Sequence, residues 1–189
     1  MTIELTKGYT LRNTTWDDIQ GVADVIMEAS KANGDAEMII TPDEIETDWR
    51  TPGFNLATDS WVVTDPTGKI VGTEEFFDRF EHCALGGDGY VHPQHFNNGI
   101  GTALLKALVE RAKQEIPLAK PDMRVYVRTG VATNETNAVD IHMDAGFKIV
   151  RYHWRMDIEL TEAPPTPALP AGVEIRPFDV DAHDHQLYL

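Results

Sequence analysis

The spacing of apolar residues predicts four helices. From Ile19 to Ala29 apolar residues recur three and four positions apart, as one buried helix face requires, and the pattern fades at Asn33. The same spacing follows Gly99 and stops at Pro117, a residue that ends helices. The predicted helices are 19–33, 42–49, a segment opened by Gly99 and closed by Pro117, and 134–145.

Stretches rich in β-branched and aromatic residues predict strands between these helices. Segments 60–64 and 69–77 flank the turn-forming Asp65-Pro-Thr-Gly68, so we expect an antiparallel hairpin. A strand from about His82 to His92 contains Gly86-Gly87-Asp88-Gly89, which indicates a bulge or a close backbone approach. Further strands are expected at 9–14, 123–129 and 147–160. The order βα(α)βββαβαβ predicts an α/β fold, with a mixed sheet covered by helices on both faces.

Charge and composition narrow the classes of partner. The chain has 31 acidic and 16 basic residues, a net charge of −15, which disfavours nucleic acid and weakly favours a cationic small molecule. A single cysteine, Cys83, excludes an internal disulfide and a cysteine-cluster metal site. No apolar run approaches the roughly 20 residues of a membrane span, so we expect a cytoplasmic protein.

The C-terminal part differs in composition from the rest. Residues 1–160 are expected to form one domain, and 161–171, with four prolines, an extended linker. Gly172-Val-Glu-Ile-Arg then repeats the pattern of Gly8-Tyr-Thr-Leu-Arg. Residues 172–189 are therefore expected to begin an incomplete second domain of the same kind, or to be a tail. Its apolar residues would favour packing on protein, within the chain or across a homodimer.

The strand ending at Val91 leads into a glycine turn and a helix. The first amides of a helix lack intrahelical acceptors, so an anion can dock there if no bulky side chain intervenes. Gly99 and Gly101 provide that access. The alternative is a tight structural connection. The turn is neither a P-loop nor a dinucleotide-binding motif, because no lysine follows Gly101 and no third glycine is present.

Two blocks together resemble the GNAT superfamily of acyl-CoA-dependent N-acetyltransferases. Val91-x-Pro93 followed by Gly99-Ile-Gly101-x-x-Leu104 is similar to its acyl-CoA-binding motif, and Asn137 to Phe147 resembles a later segment. The resemblance spans about residues 8–160. It implies a splayed, mostly antiparallel sheet and acetyl-CoA as co-substrate. The Gly-x-x-Ile-Arg pattern at 172 is similar to tandem members joined by a proline-rich linker.

The resemblance also implies which residues meet the cofactor. Backbone groups on the last strand residues would pair with pantetheine, and those of the turn, with the Thr102 hydroxyl, would bind the pyrophosphate. Phe96 stands where the family usually has arginine or glutamine, so a side-chain contribution is lost. The implied cofactor-binding residues are Tyr90, Val91, His92, Asn97, Asn98, Gly99, Ile100, Gly101, Thr102 and Asn137.

The catalytic residues are less closely specified. His142 aligns with the family's tyrosine, which can protonate the leaving thiolate, and a histidine can donate a proton near neutral pH. The alternative is a helix histidine that merely packs beside the cofactor. An acceptor amine must also lose a proton, and Glu75 or Asp88 are candidate bases, with Glu74 facing the opposite side of its strand from Glu75. No metal site is expected. The predicted function is acetyl transfer to a small-molecule primary amine; the alternative is a catalytically silent, CoA-binding domain of a two-domain protein.

Overall fold

The predicted hairpin lies at the centre of a six-stranded sheet. The strands are β1 (Thr2–Glu4), β2 (Thr10–Asn13), β3 (Ser60–Thr64), β4 (Ile70–Phe80), β5 (Ala84–Val91) and β6 (Tyr126–Arg128). Strands adjacent in sequence are adjacent in the sheet, and every pair is antiparallel except β5 with β6. The predicted mixed, mostly antiparallel sheet is therefore confirmed.

Five helices cover the two faces of this sheet. They are α1 (Ile19–Ala32), α2 (Pro42–Trp49), α3 (Leu56–Asp59), α4 (Ile100–Lys113) and α5 (Thr136–Asp144). Buried residues of α1 and α2 pack with Val62 of β3, whereas those of α4 pack with its neighbours Trp61 and Val63. Successive strand residues point to opposite faces, so β3 contributes to a core on each side.

The computed structural model describes residues 2–35, 38–154, 156, 158–180 and 183. The chain divides into two compact units, 1–149 and 150–189, and the sheet and five helices belong to the first. None of the described helices has the length and apolar character needed to span a bilayer.

Hydroxyl and carboxylate pairs fix the starts of the first two helices. The Thr41 backbone N–H donates to the Glu44 carboxylate (2.8 Å), and the Glu44 N–H donates to the Thr41 hydroxyl (3.3 Å). Before α1, the Thr15 N–H donates to the Asp18 carboxylate (2.8 Å). These bonds satisfy amides that a helix start leaves unpaired.

The structure differs from the predicted elements in three places. β1 and α3 were not predicted from the sequence, because elements of three and four residues carry too little periodicity. Conversely, the strand predicted over 147–160 is wrong, since no strand is assigned to the described residues of that segment. Its apolar side chains Val150, Trp154 and Ile158 are exposed, so the pattern there is not matched by a buried sheet face.

The glycines of β5 make room for side chains from neighbouring elements. They do not mark a β-bulge in the pairing with β4. The β4–β5 register runs without a shift from Gly72–Val91 to Asp78–Leu85. A Cβ placed on Gly89 would lie 2.1 Å from Glu74 Oε2, and one on Gly87 would lie 2.3 Å from Leu108 Cδ2. Of the two predicted possibilities, the close approach is therefore the one observed.

Glu74 is a buried carboxyl on the α4 face of the sheet. It is 6% exposed, and its Oε1 has no hydrogen-bond partner. Burial, reinforced by the charges of Asp88 and Glu75, holds its pKa well above the usual range. The side chain fills the space over Gly89, and together with Leu108 it fills the space over Gly87, so neither position has room for a Cβ.

Adding a methyl group at Gly89 should destabilise the protein, because the Glu74 carboxyl must then leave its position. We expect Gly89→Ala to lower the free energy of unfolding by about 1–3 kcal/mol in chemical denaturation. Gly130→Ala is the matched control, since a Cβ there meets nothing within 4 Å. Shortening the opposing side chain in Glu74→Ala/Gly89→Ala should recover part of the loss. Equal stabilities for the two single variants would contradict the prediction.

The raised Glu74 pKa predicts that the effect of Glu74→Gln on the free energy of unfolding depends on pH. The folded state holds this proton more tightly than the unfolded chain, so stability is lost as the pH rises above the ordinary value of 4.5. The free energy of unfolding of the variant, relative to the unmodified chain, should therefore increase between pH 5 and 7, by at most about 1.4 kcal/mol per pH unit.

Glu110→Gln controls for the loss of one negative charge. Glu110 is exposed, and its pKa is lowered by a hydrogen bond from Lys113, so no such increase is expected. If the Glu74→Gln and unmodified chains gave parallel stability curves over this pH range, the buried carboxyl would not be the titrating group.

Candidate active site

An acidic cavity lies on the α1–α2 face of the sheet. Glu75 and Asp88 are directly opposed across β4 and β5, so their side chains lie on the same face. The Trp49 indole donates a hydrogen bond to Glu75 Oε1 (2.6 Å), and the Tyr90 hydroxyl donates to Asp88 Oδ2 (3.1 Å). Both carboxylates line the cavity with these two aromatic residues. Strand alternation thus selects Glu75, and not Glu74, for this side.

Burial gives these carboxyls a raised proton affinity. The pKa of Glu75 is raised to about 7, mainly by burial and further by Asp88 and Asp48, although the Trp49 hydrogen bond opposes the shift. Burial also raises the pKa of Asp88, against the hydrogen bond from Tyr90. Glu135, before α5, has a pKa raised by burial and by Asp88. The cavity can therefore hold or exchange a proton near neutral pH.

The cavity is small and continues into a wider groove. Its volume of about 130 Å³ equals the share of about four water molecules in the liquid. Met38, Ile40 and Asp48 also line the outer groove, which has a volume of about 500 Å³. The carboxylates of Asp43 and Glu44 lie along that groove as well. A slender head group fits the cavity, and the rest of a ligand would lie in the groove.

One edge of β5 is open beside this cavity. Tyr126 donates to the Cys83 carbonyl toward β6 (3.0 Å), and His92 donates to the Val71 carbonyl toward β4 (2.9 Å). Backbone groups alternate between the two edges, so odd-numbered residues of β5 face β6. β6 pairs only with Ala84–Gly86, and no other described strand pairs with that edge. In a parallel ladder the Gly86–Arg128 pairing uses the Gly87 N–H, which donates to the Arg128 carbonyl, so the open edge presents the Gly87 carbonyl and both backbone groups of Gly89 and Val91.

This alternation revises the set of strand residues expected to meet a ligand. Tyr90 and His92 direct their backbone groups toward β4, and the His92 carbonyl already accepts from the His95 N–H (2.9 Å). Val91 keeps its expected position. Gly89, whose backbone also faces the open edge, was not among the expected residues, because the glycine-rich segment indicated a bulge or a close backbone approach.

The turn before α4 exposes helix-start amides. Asn97 and Gly99 adopt left-handed backbone conformations, with φ of 60° and 77°. The Ala103 N–H makes the first intrahelical bond, to the Gly99 carbonyl (3.0 Å). The preceding α4 amides have no intrahelical acceptor and point out of the helix start. They belong to Ile100, Gly101 and Thr102.

Helix α5 packs against this turn. A Cβ on Gly101 would lie 3.3 Å from Ile141 Cδ1, so a larger residue there would press on α5. Asn137 Nδ2 lies 3.5 Å from Asn97 Oδ1, at the long limit of a hydrogen bond. Asn137, predicted from the second sequence block, is therefore brought to the turn predicted from the first.

The geometry of His142 bears on its suggested role as an acid. Its Nδ1 lies 2.7 Å from the Ala138 carbonyl oxygen, an acceptor, so Nδ1 carries the proton and donates. In the neutral ring Nε2 is then an acceptor. His142 can supply a proton from Nε2 only when the ring is charged.

The histidines that the structure describes do not gather into one site. His92 and His95 pack edge to face before α4. His82 instead bonds Glu115 and lies 3.1 Å from Asp78. In the described part of the chain, Asp78, His82 and Glu115 are the group whose potential metal ligand atoms lie within 4.8 Å of one another. Glu115 also accepts from Arg111, which donates to Asp59 as well, so this carboxylate already has ion-pair partners within the protein.

Comparison with known proteins places these features in one family. Residues 24–147 match the acetyltransferase (GNAT) family. The chain is 29% identical over 171 residues to a mycothiol acetyltransferase of Saccharopolyspora erythraea, covering 86% of this chain and 52% of that protein. A mycothiol acetyltransferase of Frankia casuarinae is 29% identical over 143 residues, covering 71% and 37%. The chain thus spans about half, or less, of the length of these curated relatives.

Solved structures share the fold. A GCN5-related N-acetyltransferase from Sphaerobacter thermophilus superposes with a TM-score of 0.80 at 27% identity, covering 97% of this chain and 57% of that one. A GNAT superfamily phosphinothricin acetyltransferase from Sinorhizobium meliloti, in complex with acetyl-CoA, superposes with a TM-score of 0.60 at 22% identity, covering 74% and 75%.

Proposed function

The chain belongs to the GNAT acetyltransferase family, and we propose that it transfers an acetyl group from acetyl-CoA to the primary amine of a cationic small molecule. The observation that carries this proposal is the acidic cavity of Glu75 and Asp88, lying beside the open edge of β5. Acetyl-CoA is the acyl donor of the family and supplies an activated thioester.

The residues present fit that cofactor. The open edge offers the Gly87 carbonyl and the backbone groups of Gly89 and Val91 to the pantetheine amides, as an added strand would pair. The amides at the start of α4 suit the pyrophosphate, and Gly99 and Gly101 leave them uncovered. We retain Asn97, Asn98, Ile100, Thr102 and Asn137 as proposed contacts around this turn.

The cavity suits the acceptor amine. An ammonium group is favoured near the carboxylates of Glu75, Asp88 and Asp48, in a protein whose net charge is −15. The volume of about 130 Å³ admits an amine-bearing head group of about four non-hydrogen atoms, so the body of a larger acceptor would lie in the outer groove. Relatives named mycothiol acetyltransferases support a small-molecule acceptor.

Glu75 is the proposed proton acceptor. The amine attacks only when neutral, and a carboxylate with a pKa of about 7 can take its proton near neutral pH. The nitrogen then bonds to the acetyl carbon, the carbon–sulfur bond breaks, and the products are an N-acetyl amine and free CoA thiol. Asp88 holds the ammonium before transfer. His142, when charged, can return a proton to sulfur; otherwise water supplies it.

A silent CoA-binding domain is the second candidate function. The neutral His142 ring presents an acceptor where the family's tyrosine presents an acid, and Phe96 lacks the usual polar side chain. In this case the chain would bind acetyl-CoA without turnover. Catalysis would then belong to another part of a longer protein.

Cofactor binding should depend on Gly101. We expect isothermal titration calorimetry to show CoA binding to the full chain and its loss in Gly101→Glu, which places a side chain and a negative charge over the helix-start amides. Gln114→Glu adds the same charge beyond the other end of α4 and should bind normally. Equal binding by both variants would exclude the turn as the cofactor site.

Turnover should select amines by charge and depend on Glu75. With a panel of cationic, neutral and anionic primary amines, thiol release should be fastest for the cationic acceptors. Glu75→Gln should lower kcat by a factor of about 10² to 10⁴ with CoA affinity unchanged. CoA binding without thiol release for any amine would favour the silent domain, and activity restricted to anionic amines would overturn the acceptor assignment.

The pH profile tests the role of Glu75 independently. Activity should rise with pH through about 7, as Glu75 loses its proton. Trp49→Phe should shift that midpoint upward, because it removes a hydrogen bond that stabilises the carboxylate. Asp48→Asn should shift it downward, because it removes a repelling charge. Shifts of the same sign in both variants would assign the titration to another group.

A further inference from the structure

The connection between β1 and β2 reaches the glycine turn before α4. Lys7 Nζ donates a hydrogen bond to Asn98 Oδ1 (2.7 Å), across 91 positions of sequence. The Asn98 amide nitrogen in turn donates to the carbonyls of His95 (3.1 Å) and Phe96 (3.2 Å). The Asn98 side chain therefore joins the Lys7 ammonium to the backbone of the turn.

A second contact joins the same two segments. The Tyr9 hydroxyl lies 3.0 Å from His95 Nδ1, and the two rings meet edge to face with centroids 5.8 Å apart. Lys7 itself has a φ of 61°, a left-handed conformation that side-chain-bearing residues rarely adopt. A strained backbone conformation of this kind persists where the surrounding structure holds it. Here the Lys7–Asn98 and Tyr9–His95 contacts hold the segment against the turn.

The turn lacks a positive side chain of its own. Residues 92–104 contain no lysine or arginine, and Phe96 occupies the position at which the family usually has a polar or basic residue. CoA carries a pyrophosphate and a 3′-phosphate, and it must approach a protein with a net charge of −15. Backbone amides supply only partial positive charge, so a full charge at the turn would favour binding strongly.

We propose that Lys7 binds a phosphate group of CoA and supplies the charge that the turn lacks. The ammonium can donate three hydrogen bonds, and Asn98 uses one of them. The assignment rests on the proposed function, because it presumes that the turn binds CoA. It makes the β1–β2 connection part of the cofactor site.

Calorimetric titration of the full chain with three ligands tests this role. Lys7→Gln removes the charge but retains a donor for Asn98, whereas Lys7→Arg retains the charge. Lys113→Gln removes the same charge from the last turn of α4. We expect Lys7→Gln to weaken CoA binding about ten- to hundredfold, and Lys7→Arg and Lys113→Gln to bind within about twofold of the unmodified chain. Pantetheine, which has no phosphate, should bind Lys7→Gln as it binds the unmodified chain.

Dephospho-CoA, which lacks the 3′-phosphate, identifies the phosphate concerned. An equal loss for dephospho-CoA and CoA assigns Lys7 to the pyrophosphate, and a loss confined to CoA assigns it to the 3′-phosphate. Unchanged CoA affinity in Lys7→Gln would overturn this proposal alone. An equal loss for pantetheine would also overturn it, since Lys7 would then only support the turn. Absence of CoA binding by the unmodified chain would overturn the proposed function with it.

Discussion

Antiparallel pairing of β4 with β5 sets Glu75 opposite Asp88 and Glu74 opposite Gly89. Because neighbouring residues of a strand face opposite sides, one carboxyl pair lies in the cavity under α2, and the third carboxyl lies buried under α4. The same pairing uses the backbone groups of the even-numbered β5 residues and leaves the odd-numbered ones to the other edge. The open edge of β5, the acidic cavity and the buried carboxyl are thus all positioned by one strand register.

Burial and like charge both act on the carboxyl groups of these paired strands. Each carboxyl loses hydration in the sheet, so the pKa values of Glu74, Glu75 and Asp88 are all raised, and acidic neighbours raise those of Glu74 and Glu75 further. Hydrogen-bond partners then distinguish Glu75 from Glu74. Glu75 has the Trp49 indole as a donor, whereas one oxygen of Glu74 has no partner. A carboxyl with a donor can ionise within the range where amines react, and a carboxyl without one is stabilised in its neutral form.

Much of this arrangement could be predicted from the sequence where the signal is local. The apolar spacing of α1 and α4, the hairpin at Asp65-Pro-Thr-Gly68 and the glycine turn each occupy a continuous segment. The pairing edge of β5 could not be predicted, since it depends on how far β6 extends. The Lys7–Asn98 contact joins positions 91 residues apart, and no periodicity reports such a contact. The β-branched and aromatic residues of 147–160 were a misleading local signal, because a strand also requires a neighbour to pair with.

The glycine-rich half of β5 also affects how separate copies of the chain meet. Free N–H and C=O groups along a strand edge are a template for edge-to-edge aggregation. Glycine disfavours the extended pairing that such growth requires, and Gly87 and Gly89 present no side chain with which an incoming strand could pack. Asp88 between them adds a charge that opposes stacking of identical strands. The edge can therefore remain open to a small ligand while being a poor nucleus for self-association.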